Sequence, residues 1–163
     1  MQEIERKFII DFNEIDYFES LGQTYLIEQM YLFVNDKKEL RVRKQTTKNN
    51  NTVQCFLTYK EGQGLIREEE RYQISTSVYD LFIQKNNFKP IKKERTTLTL
   101  DTNLEGIYDR YLNLSKNLEI LEIEFNTVAN SKLFNKKKYD WIKREVTNDP
   151  DYKNKNLWLK LIR

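Results

Sequence analysis

Residues 3–10 read EIERKFII, a short run of alternating charges that ends in three apolar side chains. Side chains on a β-strand alternate between two faces, so Glu3, Glu5 and Lys7 share one face of this predicted strand. By itself the pattern describes an ordinary half-buried strand whose charges face water. The same device, a charged residue at every second position, recurs at several later points in the chain. The recurrence indicates a surface that several strands share.

Length and composition predict one globular domain over residues 1–163. The chain has 39% hydrophobic and 13% aromatic residues, enough for a packed core, while its 33% charged residues exceed the average for a soluble domain. With 28 Lys and Arg against 25 Asp and Glu, the net charge of +3 attracts anions only weakly and gives no argument for a nucleic-acid partner. The surplus of charged side chains must therefore be solvated or belong to a charged site.

Two residue types restrict the chemistry. Cys55 is the single cysteine, which excludes an intrachain disulfide and a cysteine-built metal site. Histidine is absent, so the usual general base and the commonest nitrogen ligand are missing, and catalysis would need carboxylates, Lys, Arg, Tyr or a metal bound by oxygen. The sequence shows neither a signal-peptide pattern nor an apolar run near the roughly 20 residues of a membrane-spanning helix. We therefore expect a soluble cytoplasmic protein.

The hydrophobic pattern predicts a mostly β fold (α+β) with a few peripheral helices. After residues 3–10, strands are predicted at residues 25–34, 39–45, 53–60, 66–74, 91–100, 105–111 and 117–125. Helices are predicted at residues 11–22, 75–87, 127–138 and from Asp149 onward. The short connections favour antiparallel pairing, because parallel strands need crossover segments that the first strands lack.

The charged faces of the predicted strands allow two interpretations. They comprise Glu3, Glu5, Lys7, Arg41, Arg43, Lys60, Arg67, Glu69, Lys93, Arg95, Glu122 and Glu124. In the first interpretation they lie on the solvent side of an open sheet, where each ion pair contributes about 0 to 1 kcal/mol. In the second they line the lumen of a closed barrel, with acids and bases interleaved so that no charge is left uncompensated. The residues alone favour the solvated sheet.

A charged lumen would have a defined chemistry. Arg and Lys from several strands can hold the oxygens of a multiply charged anion, and paired carboxylates suit Mg²⁺ or Mn²⁺. Together they describe a site for a polyphosphate chelated by a divalent metal. Such a metal can activate water without histidine.

The chain resembles the CYTH superfamily of triphosphate tunnel metalloenzymes. Glu3, Glu5 and Lys7 match the family's ExExK signature close to the N-terminus. Matching segments follow at residues 30–32, 40–43, 58–60, 64–69, 93–95, 121–125, 145–147 and 152–154, together with Asp109, so the resemblance spans nearly the whole chain. The chain looks most like the short bacterial members that hydrolyse inorganic triphosphate.

The resemblance implies a closed eight-stranded antiparallel β-barrel, a tunnel with a charged lumen that binds triphosphate along its axis with Mg²⁺ or Mn²⁺. The implied metal ligands are Glu3, Glu5, Glu69, Asp109, Glu122, Glu124 and Glu145. The implied substrate contacts are Lys7, Arg41, Arg43, Lys60, Arg67, Lys93, Arg95 and Tyr31, with Tyr31 near one mouth. Lys60, Lys93 and Glu5 are the implied catalytic groups.

Two features depart from the family pattern. Arg71 stands where a second glutamate is expected after Glu69, so either one acid is missing from that wall or the inward register uses Glu68 and Glu70. In addition, residues 143–144 are Lys-Arg where relatives tend to have a glycine turn. Both changes make the tunnel or its rim more basic.

The implied reaction is hydrolysis of inorganic triphosphate to pyrophosphate and phosphate, with nucleoside triphosphates as further candidate substrates. Two alternatives within the superfamily stay open, a class IV type adenylate cyclase and a thiamine triphosphatase. A third, from a different class, is a non-catalytic module that binds polyphosphate or RNA ends. A homodimer is also left open.

Overall fold

A computed structural model of the protein describes residues 2–10, 22–63, 66–101, 104–114 and 117–162. The helix predicted at residues 11–22 lies outside these ranges except for its last residue. No helix in the described part of the chain is long and apolar enough to cross a membrane.

The chain forms a closed antiparallel barrel. Its strands are β1 (Gln2–Ile10), β2 (Thr24–Val34), β3 (Lys38–Thr47), β4 (Val53–Gln63), β5 (Ile66–Ile74), β6 (Ile91–Asp101), β7 (Leu104–Tyr111), β8 (Glu119–Glu124) and β9 (Ile142–Glu145). They pair in the order β5-β4-β3-β2-β6-β7-β8-β1-β9, and a further pairing of β5 with β1 closes eight of them into a ring. The predicted eight-stranded barrel is therefore confirmed, with β9 as an extra strand that the sequence did not predict.

Strand β1 joins three neighbours. Its start pairs with β5, where Glu3 lies opposite Arg67, and this pairing ends at Ile4. Its other edge pairs with β8 over residues 5–9. The pairing of β1 with β9 begins only at Phe8. On the edge of β1 that faces away from β8, residues 5–7 therefore lie between the end of the β5 pairing and the start of the β9 pairing.

The alternation of side chains places charges inside the barrel and apolar groups outside. Glu5, Lys7 and Glu122 are each less than 10% exposed although they are ionisable. Next to Lys7 and Glu122 but on the opposite face of their strands, Phe8 and Leu121 are fully buried in an outer apolar cluster beneath β9 and the segment before it. The solvated-sheet interpretation is therefore wrong, because closure of the ring turns the charged faces inward.

In the described ranges, three α-helices pack against the barrel: α1 (Thr76–Asn86), α2 (Val128–Leu133) and α3 (Asn154–Leu161). Helix α1 begins as predicted, with Ser75 accepting a hydrogen bond from the Val78 amide, and it ends at Asn87 in a left-handed conformation (φ 53°). The helix predicted at residues 127–138 is shorter, because Phe134 is extended and its ring packs 5.6 Å from that of Phe8. Single 3₁₀ turns follow at Lys136–Lys138 and Pro150–Tyr152.

Helix α3 packs against the end of β2 and the turn that follows it. Its Trp158 is 3% exposed, packs 5.4 Å from the ring of Tyr31, and donates a hydrogen bond to the Lys89 carbonyl at 3.0 Å. Lys155 reaches across to the turn between β2 and β3, where its Nζ donates to the carbonyl of Asn35 at 2.8 Å. The start of α3 is thereby tied to the rim of the barrel.

Candidate active site

A cavity of about 760 Å³, including its open mouth, lies in the lumen. Its lining in the described part of the chain consists of Glu3, Glu5, Lys7, Tyr31, Asp36, Glu39, Arg41, Arg43, Lys60, Gly62, Arg67, Arg71, Arg95, Glu122, Glu124, Thr147, Lys153, Asn154 and Lys155. Nine of these residues are basic and six are acidic, and Tyr31 is the only aromatic one among them. The cavity therefore favours an anion that carries charge along its whole length.

Four of the six acidic lining residues lie on the wall formed by β1 and β8. Glu5 lies opposite Glu124 across these strands, and Lys7 lies opposite Glu122. Partial burial, together with the charges of Glu3, Glu5 and Glu122, raises the pKa of Glu124. Burial also opposes ionisation of Glu5, but Lys7 and other nearby cations hold its pKa below the ordinary value. A negative charge on Glu124 is thus disfavoured by its acidic neighbours on this wall.

Two lysines are held inside the lumen by carboxylates. Lys7 Nζ lies 2.6 Å from Glu122 and 3.3 Å from Glu5, and these carboxylates raise its pKa despite its burial. Lys60 Nζ lies 2.7 Å from both oxygens of Glu3 and 2.6 Å from Glu69. Burial and the nearby Arg41 lower the pKa of Lys60. Each ammonium therefore occupies a fixed position among acids.

Arg67 and Arg95 extend this network of ion pairs. Arg67 lies 2.7 Å from Glu5 and 3.2 Å from Glu3. Arg95 lies 3.1 Å from Glu122, so both arginines bind acids of the β1 and β8 wall.

The guanidinium groups of Arg41 and Arg43 use only part of their hydrogen-bonding capacity. The Nε of Arg41 is buried without a hydrogen-bond partner, and its guanidinium lies 3.8 Å from Glu69. Arg43 donates to the side-chain oxygen of Gln29 at 3.2 and 3.3 Å, and burial together with Arg41 and Arg95 lowers its pKa well below the usual range. These two guanidiniums on β3 therefore have unused capacity to bind an anion.

The chain is 34% identical over 162 residues to an inorganic triphosphatase of Acetivibrio thermocellus, an alignment that covers 96% of this chain and 92% of that protein. The chain belongs to the triphosphate tunnel metalloenzyme family. An inorganic triphosphatase of Nitrosomonas europaea is 29% identical over 165 residues, covering 99% of both proteins. A crystal structure of an inorganic triphosphatase superposes with a TM-score of 0.66 at 28% identity, covering 96% of this chain and 94% of that chain. No protein-family model matches the chain.

The tunnel brings together most of the residues that the sequence singled out. Eleven of them line the cavity: Glu3, Glu5, Lys7, Tyr31, Arg41, Arg43, Lys60, Arg67, Arg95, Glu122 and Glu124. They come from seven strands that are spread along the whole sequence, which is the arrangement expected of a family with a charged tunnel.

Lys93 and Asp109 share the inner face of the barrel with Arg95 but are not among the residues that line the cavity. Both side chains are fully buried, and Lys93 Nζ lies 2.5 Å from Asp109. Burial and the adjacent Arg95 lower the pKa of Lys93 to about 7. Asp109 also accepts two hydrogen bonds of 2.7 Å from Arg95. From these positions Lys93 and Asp109 support Arg95, which itself reaches the cavity.

The structure shows which glutamates of β5 face the inside of the barrel. Glu69 is half-buried on the inner side, where it contacts Lys60, while Glu68 and Glu70 are exposed. The alternative register through Glu68 and Glu70 is therefore wrong. Arg71 lines the cavity in place of the expected glutamate and lies 2.5 Å from Glu69.

Glu145 lies apart from the other predicted metal ligands. It accepts hydrogen bonds of 2.8 and 2.6 Å from Arg6, whose side chain points to the outside of the barrel. Lys143 and Arg144, which replace the expected glycine turn, belong to strand β9 and are exposed. The basic pair therefore extends a strand on the outer surface and does not line the tunnel.

The sequence assigned no role to several residues that line the tunnel. They are Asp36, Glu39, Gly62, Thr147, Lys153, Asn154 and Lys155. These residues belong to the turn after β2, to the ends of strands and to the segment after β9, so no alternation along a strand marks them. The signal that could have found Thr147 and Lys153 was their place in the segments that match the family.

The acidic wall of the tunnel suits a divalent cation by its donor chemistry. In the described ranges no three acidic side chains are already arranged as a metal cage, since Glu3, Glu5 and Glu122 contact Lys or Arg. Carboxylate oxygens are nonetheless the ligands that Mg²⁺ and Mn²⁺ prefer. The raised pKa of Glu124 marks the place where a further positive charge would be favourable.

Proposed function

We propose that this protein hydrolyses inorganic triphosphate to pyrophosphate and phosphate, with Mg²⁺ or Mn²⁺ as cofactor. The observation that carries the proposal is the composition of the cavity wall, in which nine basic and six acidic residues occur together and Tyr31 is the only aromatic among the described lining residues. A nucleobase or thiazole ring would need an apolar slot, whereas a bare triphosphate with its metal needs charges of both signs. The two inorganic triphosphatases that align along nearly the whole chain support the same activity.

The basic residues would hold the phosphates. Arg41 and Arg43 on β3 have free hydrogen-bonding capacity at the cavity wall, and Lys60 on β4 and Arg95 on β6 present their charges from strands on either side. As the bridging P–O bond breaks, its electron pair moves to the leaving pyrophosphate. Fixed cations near that oxygen stabilise the transition state more than the ground state.

The acidic residues would hold the metal. Glu3, Glu5, Glu122 and Glu124 supply oxygen donors, and a bound Mg²⁺ or Mn²⁺ would neutralise phosphate charge and lower the pKa of the attacking water. The low pKa of Glu5 keeps it ionised at neutral pH, which suits a ligand better than a general base. A small anionic substrate of this kind also fits a cytoplasmic protein.

A substrate panel tests the proposal. Triphosphate, pyrophosphate, ATP and thiamine triphosphate are incubated with Mg²⁺ or Mn²⁺, and phosphate, pyrophosphate and cyclic AMP are separated. We expect the highest kcat/KM with triphosphate and equal amounts of phosphate and pyrophosphate as products. Cyclic AMP as the main product would indicate a cyclase, and triphosphate binding without turnover would indicate a binding module.

Lys60 is expected to matter much more than a lysine on the surface. Lys60→Ala should weaken triphosphate binding by about 10- to 100-fold, because a charged hydrogen bond contributes about 1.5 to 3 kcal/mol. Lys137→Ala, at an exposed position in the 3₁₀ turn Lys136–Lys138, should leave binding unchanged. Isothermal titration calorimetry without metal measures both affinities, and circular dichroism shows whether the Lys60 variant is folded at the assay temperature. Equal losses in the two variants would contradict a role of the lumen in binding.

A further inference from the structure

Along one edge of β1, the central residues pair with neither β5 nor β9, and Glu5 and Lys7 project into the lumen from this stretch. Pairing with β5 ends at Ile4 and pairing with β9 begins at Phe8, while Glu5 and Lys7 point into the cavity from the stretch between them. On its other edge this stretch pairs with β8. Something other than a ladder of strand hydrogen bonds must hold the free edge of β1 here.

The segment after β9 occupies this edge. The Lys7 amide donates to Oγ1 of Thr147 at 3.1 Å, and the Val146 amide donates to the Lys7 carbonyl at 2.8 Å. Both backbone groups of Lys7 are therefore satisfied by two consecutive residues that follow β9. Thr147 also lines the cavity, so this contact lies at the wall of the tunnel.

Glu145 fixes the direction of the Thr147 hydroxyl. Thr147 Oγ1 donates its single proton to Glu145 at 2.7 Å, which leaves a lone pair to accept from the Lys7 amide. Glu145 in turn accepts the two hydrogen bonds from Arg6. Arg6 is held from the other side by the carbonyl of Ser131, to which it donates at 2.7 Å. A continuous chain of hydrogen bonds thus runs from the outer surface to the backbone of Lys7.

We propose that Glu145 is a positioning residue that acts through Thr147 on Lys7, and that it is not a metal ligand. Its partners are Arg6 on the outer face of β1 and the Thr147 hydroxyl, and its carboxylate does not line the cavity. By orienting the hydroxyl, Glu145 holds the backbone of Lys7 where its ammonium lies 2.6 Å from Glu122. This inference rests on the proposed function, because the lysine it positions is a proposed phosphate contact.

The proposal makes a specific kinetic prediction. Displacing a substrate-binding group by about 1 Å can cost about 100-fold in rate, so Thr147→Val and Glu145→Ala should each lower kcat/KM for triphosphate by about 10-fold or more. Thr147→Ser, which keeps the hydroxyl, should retain near wild-type activity. Because both residues act through one hydrogen bond to Lys7, the double variant should be no worse than Thr147→Val alone.

Two further readouts separate positioning from metal binding and from general stability. The Mg²⁺ concentration for half-maximal activity should change by less than about twofold in Glu145→Ala, whereas loss of a metal ligand should raise it about 10-fold or more. Hydrogen exchange of the Lys7 amide, measured by NMR without substrate, should be faster in Glu145→Ala and Thr147→Val. It should not change in Thr147→Ser or in Lys143→Ala, an exposed control on β9.

Each outcome has a clear meaning. An increased Mg²⁺ requirement in Glu145→Ala, multiplicative losses in the double variant, or unchanged exchange of the Lys7 amide would overturn the inference. If the wild-type protein cleaves no triphosphate, the proposed function has failed, while hydrogen exchange still tests whether Glu145 holds Lys7. Melting temperatures measured in parallel identify any variant that is unfolded, and Thr147→Ser then serves as the folded reference for exchange.

Discussion

Glu124→Gln is expected to lower the Mg²⁺-dependent release of phosphate from triphosphate by about 100-fold or more, because an electrostatic contact at the reacting centre is removed. Without metal, the same substitution should leave the protein at least as stable as the wild type. Glu124 lies among Glu3, Glu5 and Glu122, and their repulsion together with its partial burial raises its pKa. The neutral glutamine side chain removes a charge that the fold disfavours. Activity should therefore fall while the stability of the metal-free protein stays the same or rises.

The dependence of this stability gain on pH follows from the raised pKa. The folded state disfavours ionised Glu124, so its cost is present at neutral pH and disappears below pH about 4, where the carboxyl is protonated in both states. The melting temperature of Glu124→Gln minus that of the wild type should therefore be zero or positive at pH 7 and vanish near pH 3.

Glu119→Gln on the same strand is the matched control, because its side chain alternates to the other face of β8. It should change neither the Mg²⁺ requirement nor the melting temperature. Retained turnover in Glu124→Gln would remove Glu124 from the metal site. A clear loss of stability in the metal-free Glu124→Gln protein would show that Glu124 contributes to the fold.

Arg43→Met is expected to weaken triphosphate binding by about 10- to 100-fold, since a charged hydrogen bond to a phosphate oxygen is worth about 1.5 to 3 kcal/mol. Arg43 is buried and donates to the neutral Gln29, while Arg41 and Arg95 lower its pKa. Its charge is therefore costly in the free protein, and a bound anion would compensate it. Replacing such a charge by an apolar side chain of similar length should leave the free protein as stable or make it more stable.

Thermal unfolding with and without triphosphate measures both effects. Without ligand, the melting temperature of Arg43→Met should be equal to or higher than that of the wild type, and the upward shift that triphosphate produces should be smaller. Lys44→Met, on the outer face of the same strand, is the control, since Lys44 lies over the ring of Tyr79 outside the barrel. A ligand-induced shift in Arg43→Met as large as that of the wild type would show that Arg43 does not bind the phosphates.

Much of the fold could be predicted from local patterns. Strand alternation identified which charged residues share a face, and eleven of the predicted site residues line the cavity. Strand β9 was missed because residues 142–145 contain three charged side chains and no apolar alternation, and the strand forms only by pairing with β1. The helix predicted at residues 127–138 ends early because the aromatic side chain of Phe134 is recruited to the outer core.

The depth of a charged residue within the barrel could not be predicted in the same way. Lys93 and Arg95 are two residues apart on one strand, yet Lys93 is fully buried against Asp109 and Arg95 reaches the cavity. Glu145 follows the charged pattern of the family segment but lies beside Arg6 on the outer side. These differences depend on strand tilt and on neighbours that are distant in sequence, and alternation contains neither.

The sequence by itself determined the strands, their two faces and the residue types that a triphosphate with its metal would need. Only the tertiary structure decided that the charged face is the inner one, through the pairing of β5 with β1 that closes the ring. That pairing joins residues more than sixty positions apart, Glu3 and Arg67 among them. The physical reason is that the alternation of side chains is a local property of the backbone, whereas inside and outside exist only once the sheet has closed on itself.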